Sequence, residues 1–180
     1  MNERRFQGKA ARLHAAERVA SLEVDQVVAL ALEGLTATTV LDIGTGTGIF
    51  AEAFARLGLK ATGIDANPDL LRVARSRLPS AQFCEGTAEN LPFEDVSFDL
   101  AFLGHLLHEV DVPLDALKEA RRVARGRVVV LEWPYRAEKQ GPPLDHRLRP
   151  ETILSLADTA DFHGGDRIKL KHMELYRLTP

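Results

Sequence analysis

The sequence predicts an α/β fold: a doubly wound, mostly parallel sheet with helices on both faces and an antiparallel C-terminal strand. Short apolar, β-branched runs alternate with helical stretches between residues 39 and 162, which is typical of parallel strands joined by crossover helices. A length of 180 residues with 45% hydrophobic content suits one domain with a sizeable core. We therefore expect a single domain spanning residues 1–180, with residues 1–35 as an N-terminal helical cap.

Each element follows from its local composition. Residues 8–35 are rich in Ala, Leu, Glu and Arg and give one helical face, made of Val24, Val27, Val28 and Ala31. Strands are predicted at residues 39–43, 60–65, 81–86, 97–104 and 127–133. Further helices are predicted at residues 48–58, 67–79 (with Asn67 as the N-cap), 112–126 and 151–162. Residues 134–150 contain four prolines and predict an ordered loop, and residues 166–179 predict one long strand or two short ones.

Charge and cysteine content narrow the function. A net charge of −3 and a pI near 6.1 give no overall positive field, so we expect no nucleic-acid partner. The single cysteine, Cys84, excludes an intramolecular disulfide and fits a reducing compartment. The charged first residues lack the apolar core of a signal peptide, and no apolar run approaches the roughly 20 residues that span a bilayer. We expect a cytoplasmic protein without a membrane span.

A glycine-rich loop follows the first strand in the stretch "VLDIGTGTG", residues 40–48. Gly44, Gly46 and Gly48 lack a Cβ, so the backbone turns tightly there and a ligand approaches closely. The spacing G-x-G-x-G differs from the dinucleotide pattern G-x-G-x-x-G, whose third glycine position is Ile49 here. Asp42 would repel a pyrophosphate and suits a ligand with an ammonium or sulfonium group.

An acidic residue, Asp65, ends the second strand in "GID". A carboxylate in this place accepts hydrogen bonds from ribose hydroxyls. The loop and Asp65 together indicate a ligand with a ribose, a positive charge and no phosphate. S-adenosylmethionine has that chemistry.

Four segments in order now carry a family resemblance: "VLDIGTGTG", "GIDANPDLL", "GTAENLPFEDVSFDLAF" and "LLHEV". With them the chain resembles the class I S-adenosylmethionine-dependent methyltransferases, in particular the small-molecule type of ubiquinone and menaquinone biosynthesis. The resemblance extends from about Phe6 to the C-terminal end, and "EW" followed by "GPPLDHR" is similar to a segment after the fifth strand in some members. It implies a Rossmann-like fold and S-adenosylmethionine as the cofactor, with S-adenosylhomocysteine as the product.

The resemblance also implies a role for each residue of these motifs. Asp42 and the backbone of Gly44, Thr45, Gly46 and Gly48 face the methionine part, and Asp65 holds the ribose. The other implied cofactor contacts are Ala66, Thr87 and Ala88 around the adenine and the backbone of Leu103 and Gly104. Thr87 departs from the aspartate that members often carry, so we expect a weaker bond to the adenine amino group. The resemblance also directs His105 into the substrate site.

The histidines of "LGHLLHEV" have two interpretations. His105 and His108 lie on one side of a helical turn, a spacing also found in metal pairs. The further candidate ligand nearby, Glu109, is expected to point elsewhere, so no metal site is expected. His108 with Glu109 is interpreted as a packing and capping feature at the sheet edge. His105 is either a substrate-site residue, as a general base with a near-neutral pKa, or a partly buried structural one.

Other polar and aromatic residues have simpler interpretations. Trp133 and Tyr135 either line a substrate pocket or cover the core, and Cys84 is expected in the core. The basic run of the last crossover helix is expected to be solvated; its members are Arg121, Arg122, Arg125 and Arg127.

The expected reaction is in-line methyl transfer to a small-molecule acceptor, in which the cofactor carries the chemistry and the protein aligns the nucleophile. The N-terminal helices are predicted to form a lid over the cofactor, with Phe6, Arg12 and Arg18 toward the ligand. Two alternatives stay open: a methyltransferase acting on protein or RNA, and a non-catalytic S-adenosylmethionine-binding sensor. The expected assembly is a monomer or a homodimer.

Overall fold

A computed structural model of the chain describes residues 20–138 and 140–180. The helices of this part are α1 (Val24–Leu32), α2 (Ile49–Arg56), α3 (Pro68–Arg77), α4 (Pro113–Val123) and α5 (Pro150–Thr159), with a 3₁₀ turn at Leu144–His146. The strands are β1 (Thr39–Ile43), β2 (Lys60–Asp65), β3 (Gln82–Glu85), β4 (Phe98–Gly104), β5 (Ala124–Glu132), β6 (Gly165–Lys169) and β7 (Glu174–Leu178). The predicted lid residues Phe6, Arg12 and Arg18 lie outside the described residues.

The strands form one sheet in the order β3-β2-β1-β4-β5-β7-β6. The first five are parallel, whereas β7 pairs antiparallel with both β5 and β6. This confirms the predicted doubly wound, Rossmann-like fold class with an antiparallel C-terminal end, and it resolves residues 166–179 into two short strands. The strand order reverses between β1 and β4, and ligands of open α/β sheets bind beyond the carboxyl ends of the strands at such a point.

Apolar residues cover both faces of the sheet. On one face, α1 and α2 bury Val27, Val28, Ala31, Phe50 and Phe54 against the sheet. On the other, α4 and α5 pack around Leu117 and Ile153. Crossover helices on both faces explain why β1 and β4 read as nearly continuous apolar runs in the sequence.

Two expectations near α4 are corrected. The helix ends at Val123, and β5 begins at Ala124, because Ala124 pairs with Phe98 ahead of a register shift in β4. The basic run is structural as well as solvated. Arg122 binds the Glu119 and Asp95 carboxylates and the carbonyls of Leu91 and Phe93, and Arg127 binds the carbonyls of Ala31 and Glu33. The carbonyls bound by Arg122 lie in the loop before β4 and those bound by Arg127 at the C-terminal end of α1, where backbone carbonyls need partners outside the helix or sheet.

Candidate active site

The glycine loop lies at the carboxyl end of β1, beside the end of β2. Gly44, Gly46 and Gly48 have φ angles of 71°, 55° and 81°, in the left-handed region that favours glycine. The N–H groups of Gly44 and Thr45 donate to the Ile64 carbonyl at 2.8 and 3.0 Å. The loop is therefore tied to β2 and leads directly into α2, whose first N–H groups face the carboxyl edge of the sheet.

Asp42 holds the glycine loop from beneath. Its Oδ2 accepts hydrogen bonds from the Thr45 hydroxyl at 2.6 Å and from the Ala51 N–H of α2 at 3.1 Å. Burial raises the pKa of Asp42 to about 7, and the negative charge of Asp65 adds to this, although the bonds from Thr45 and Ala51 oppose it. The loop contacts assign Asp42 a positioning role, and its contact with the methionine part of a cofactor stays a prediction.

Asp65 connects the glycine loop with α3. Its Oδ2 accepts the Gly46 N–H and its Oδ1 the Asn67 N–H, both at 2.8 Å. Asn67 in turn caps α3, as predicted, by accepting the N–H groups of Asp69 and Leu70. Asp65 thus stands where a ribose on the glycine loop would meet a carboxylate.

The other predicted cofactor residues flank this place. Ala66 and Thr87 are exposed, and Ala88 is buried. Thr87 forms an isolated bridge with Asn90 in the turn after β3. Because β3 adjoins β2, these residues lie along the same edge as Asp65, and their contact with an adenine stays a prediction.

The end of β4 lies on the other side of the switch point. Leu103 is fully buried, and its backbone contact with a cofactor stays a prediction. A Cβ on Gly104 would lie 2.8 Å from the Phe102 ring and 3.3 Å from Phe50, which requires glycine here. A Cβ on Gly44 would likewise lie 2.7 Å from the Leu106 side chain. The loop after β4 therefore rests directly on the glycine loop.

His105 has an unusual backbone conformation. Its φ of 56° is in the left-handed region, which is uncommon for a residue with a side chain. Its N–H donates to the Leu131 carbonyl of β5 at 2.8 Å, and its ring centroid lies 5.0 Å from that of Trp133. His105 is thus half-buried between the ends of β4 and β5, next to the glycine loop.

The structure corrects the interpretation of His108. Its Nδ1 lies 2.7 Å from Oε2 of Glu132, and both side chains are buried, whereas Nε2 lies 3.7 Å from Glu109. Burial works to lower the pKa of His108, but the negative charge of Glu132 and the hydrogen bond to it raise it overall. Burial works to raise the pKa of Glu132, but the charge of His108 lowers it overall. His108 and Glu132 are therefore an ion pair inside the protein.

A buried arginine organises the loop after β5. Arg147 donates hydrogen bonds to the carbonyls of four residues, Pro134, Arg136, Gln140 and Pro142, at 2.7–2.9 Å. Its guanidinium also lies 5.4 Å from the ring centroid of Trp133. Trp133 is buried in the core, whereas Tyr135 is half-buried beneath Arg149 at 4.2 Å. The predicted ordered loop is therefore held by a charged residue within it.

Sequence reasoning missed three residues of this site. Glu132 and Arg147 were part of the quoted "EW" and "GPPLDHR" segments, but their partners are distant in sequence. Thr47 in the glycine loop has a buried Oγ1 that finds no hydrogen-bond partner in the described part of the chain.

Among residues 20–138 and 140–180, no three His, Cys, Asp or Glu side chains come together as a metal site. Cys84 is partly buried and packs against the core.

Comparison with known proteins agrees with this geometry. The family model described as a methyltransferase domain matches residues 41–130, which run from β1 to β5 and contain the glycine loop, Asp65 and His105. The chain belongs to this methyltransferase family. Membership confirms the resemblance stated from the sequence, and it supports S-adenosylmethionine as the cofactor of a methyltransferase.

Relatives and solved structures are similar to this chain over different lengths. A demethylmenaquinone methyltransferase of Chlorobaculum tepidum is 38% identical over 95 residues, 52% of this chain and 39% of that protein. An uncharacterized methyltransferase of Mycobacterium tuberculosis is 38% identical over 106 residues, 58% of this chain and 43% of that protein. The matched region thus spans less than half the length of these relatives. A methyltransferase structure from Aquifex aeolicus shares the fold with a TM-score of 0.82 at 20% identity, covering 96% of this chain and 98% of that one.

Proposed function

We propose that the protein transfers a methyl group from S-adenosylmethionine to a small-molecule acceptor. The observation that carries the proposal is the pairing of the glycine loop with Asp65 at the switch point, through the 2.8 Å bond from the Gly46 N–H. A carboxylate at the position of Asp65 accepts hydrogen bonds from ribose hydroxyls, and no phosphate-binding lysine or arginine appears in the loop sequence "GTGTG". The buried, unpaired Oγ1 of Thr47 among the described residues further supports a polar ligand on this loop.

The proposed roles divide along the sheet edge. The glycine loop, Asp65, Ala66, Thr87 and Ala88 hold the cofactor, which supplies an electrophilic methyl group when bound. The ends of β4 and β5 form the acceptor side, where His105 removes a proton from the nucleophile if that nucleophile carries one. Because His105 is next to Leu106, which rests on Gly44, the proposed base and the proposed methionine site are adjacent.

A small molecule is the proposed acceptor for three reasons. Demethylmenaquinone methyltransferases are among the relatives, the net charge of −3 gives no general attraction for RNA, and no large insertion between the elements builds a separate substrate domain. No helix of residues 20–138 and 140–180 is long and apolar enough to cross a membrane, and we propose a cytoplasmic location.

Titration calorimetry tests the cofactor assignment first. S-adenosylhomocysteine and S-adenosylmethionine are expected to bind with micromolar-class affinity. Release of S-adenosylhomocysteine with a panel of phenols, quinols, amines and thiols then tests the acceptor class. Failure of both ligands to bind would sink the methyltransferase proposal, whereas binding without turnover on any panel member but with salt-sensitive RNA binding would favour a macromolecular acceptor.

A further inference from the structure

Glu132 is the last residue of β5, and its carboxylate connects the end of this strand with the loop after β4. It accepts three hydrogen bonds: from His108 Nδ1–H at 2.7 Å, from the His108 backbone N–H at 3.2 Å, and from the Trp133 N–H at 3.3 Å. Glu132 is 1% exposed and His108 4%. One buried side chain therefore holds the chain at two points, both on the acceptor side of the proposed site.

A buried ion pair is a poor way to stabilise a fold. Removing two charges from water costs several kcal/mol per ion, and apolar replacements of similar volume are often as stable or more stable. The surroundings are also mixed in charge. Glu109 faces His108 at 3.7 Å, and Arg147, His105 and Tyr176 also interact electrostatically with the pair. A role in shaping the site explains the pair better than a role in stability.

His105 lies between the end of β4 at Gly104 and the anchored His108. Its backbone φ of 56° is unfavourable for a residue with a Cβ, and such conformations persist where the surroundings fix them. The backbone of His105 is fixed by its bond to the Leu131 carbonyl. Its ring is placed by Trp133 at 5.0 Å, and Trp133 directly follows Glu132. The carboxylate of Glu132 thus holds the backbone of Trp133 directly and the loop that contains His105 through His108.

We propose that the His108–Glu132 pair is a positioning pair: it holds the loop after β4 against the end of β5 and thereby sets His105 against Trp133 on the acceptor side. The assignment of this region as the acceptor side rests on the proposed function. The contact between His105 and Trp133 is a property of the fold, so it is measurable whether or not a methyl acceptor is known.

Trp133 makes the test direct, because it is the one tryptophan in the sequence. In Glu132→Gln, we expect Trp133 fluorescence to shift to longer wavelength and the ring-current displacement of the His105 ring-proton NMR signals to be lost. Affinity for S-adenosylhomocysteine is expected to stay within about twofold, because the carboxylate of Glu132 bonds His108 and Trp133 and is not one of the groups that hold the glycine loop. His105 signals are assigned by comparison with His105→Gln.

A matched control is available on the neighbouring strand. Glu174 lies directly opposite Glu132 in the β5–β7 pairing, is 7% exposed, and bonds Tyr176 and Arg167 instead of the loop after β4. Glu174→Gln removes a neighbouring carboxylate that is also buried and is expected to leave the His105 and Trp133 signals as in the wild type. If Glu174→Gln and Glu132→Gln change these signals equally, the effect is general loosening and the proposal is wrong.

A double variant guards against loss of folding. His108→Leu with Glu132→Leu removes both charges together and is expected to fold with a thermal midpoint close to that of the wild type. The proposal requires the same loss of the His105–Trp133 contact in this variant. Unchanged Trp133 emission and His105 signals in a folded double variant would overturn it. Calorimetry with S-adenosylhomocysteine on the same samples reports separately on the proposed function, so the two failures are distinguishable.

Discussion

The pKa values of buried and half-buried carboxylates are shifted in opposite directions at the two ends of the parallel sheet. At the amino end, Asp99 accepts hydrogen bonds from the N–H and hydroxyl groups of Thr38 and Thr39 and pairs with Arg125. The Thr38 N–H bond leads these contacts in holding the pKa of Asp99 well below its usual range. At the carboxyl end, burial raises the pKa of Asp42 to about 7. The amino end thus stabilises the charged form of Asp99, whereas burial at the carboxyl end destabilises the charged form of Asp42.

A second cluster makes the same contrast. At the amino end of β5, Arg177 pairs with Asp166 and Glu33, and the hydrogen bond from Arg177 lowers the pKa of Asp166. These groups are partly exposed, and their pairs serve the fold. The buried His108–Glu132 pair is at the other end, beside the strained backbone of His105. Ionisable groups held at a cost collect at functional sites, which is why the carboxyl end is the candidate site.

Opposite pH dependences of stability at the two ends are the largest expected effect. Between its ordinary value of 3.8 and about 7, folded Asp42 holds a proton that the unfolded chain has lost. The stability associated with protonated Asp42 is therefore complete below about pH 4 and is lost as the pH rises to about 7. Asp42→Asn keeps an acceptor for Thr45 and Ala51, and at pH 8 it is expected to be more stable than the wild type by about 2–4 kcal/mol.

Urea unfolding at pH 4, 6 and 8 measures this difference, with Asp99→Asn as the control. A lowered pKa at Asp99 contributes stability above about pH 4 that is lost as the pH falls through the folded value. Asp99→Asn is therefore expected to be less stable than the wild type at pH 8 and to approach it in acid. Parallel stability curves for Asp42→Asn and the wild type would contradict the contrast.

His105→Ala tests whether the carboxyl end carries the chemistry. If His105 is the base, turnover at saturating cofactor and acceptor is expected to fall about 100-fold, with S-adenosylhomocysteine affinity within about twofold of the wild type. His163→Ala, at an exposed position after α5, is the control. An unchanged turnover rate in His105→Ala would leave His105 as a structural residue against Trp133.

Asp65→Ala tests the cofactor half of the same end. The variant loses the proposed acceptor for ribose and the bond that anchors Gly46, so affinity for S-adenosylhomocysteine is expected to fall about 30-fold, or ~2 kcal/mol for a charged hydrogen-bond partner. Asp65→Asn keeps one acceptor oxygen and should be intermediate. Calorimetry measures both affinities. Equal affinities in the wild type and the two variants would mean that the ribose does not bind at the end of β2.

Asp99→Ala applies the same deletion at the amino end. It removes the acceptor shared by Thr38, Thr39 and Arg125, so we expect a loss of about 1.5–2 kcal/mol in the free energy of unfolding. Differential scanning calorimetry should show a thermal midpoint lower by about 4–6 °C. Cofactor affinity is expected to stay unchanged; a loss comparable with that of Asp65→Ala would mean that the two ends are coupled.

The amount predicted from sequence also differs between regions. The strand bounds of β1 and β2 are as predicted, because β-branched apolar runs ended by Gly44 and Asp65 are local signals. The start of β5 was missed by three residues, because Ala124 joins the sheet through pairing with Phe98. The N-cap of α3 was predicted because Asn67 and the N–H groups it caps are neighbours in sequence.

The site shows the same limit. Asp42, Asp65 and the glycines were predicted as site residues because their spacing is a motif, and the structure brings them together at the ends of β1 and β2. The partner of His108 was assigned to adjacent Glu109, whereas the structure pairs it with Glu132, 24 residues away. Likewise, no local pattern shows that Arg147 bonds carbonyls before and after the prolines of its own loop. Sequence reasoning can identify side chains whose partners are near in sequence. It misses side chains whose partners come close only when the strands pair in the sheet.

Thr87 offers the smallest and most specific test of the cofactor edge. The resemblance described from the sequence implies an aspartate at this place, and a charge-assisted bond to the adenine amino group is stronger than one from a hydroxyl. Because Thr87 is exposed, Thr87→Asp is expected to fold normally and to raise S-adenosylhomocysteine affinity about fivefold, or ~1 kcal/mol. Thr87→Asn supplies a neutral acceptor of the same size and should give a smaller gain. Equal affinity in Thr87→Asp and the wild type would place the adenine beyond reach of this turn, and the adenine side of the site would then need another boundary.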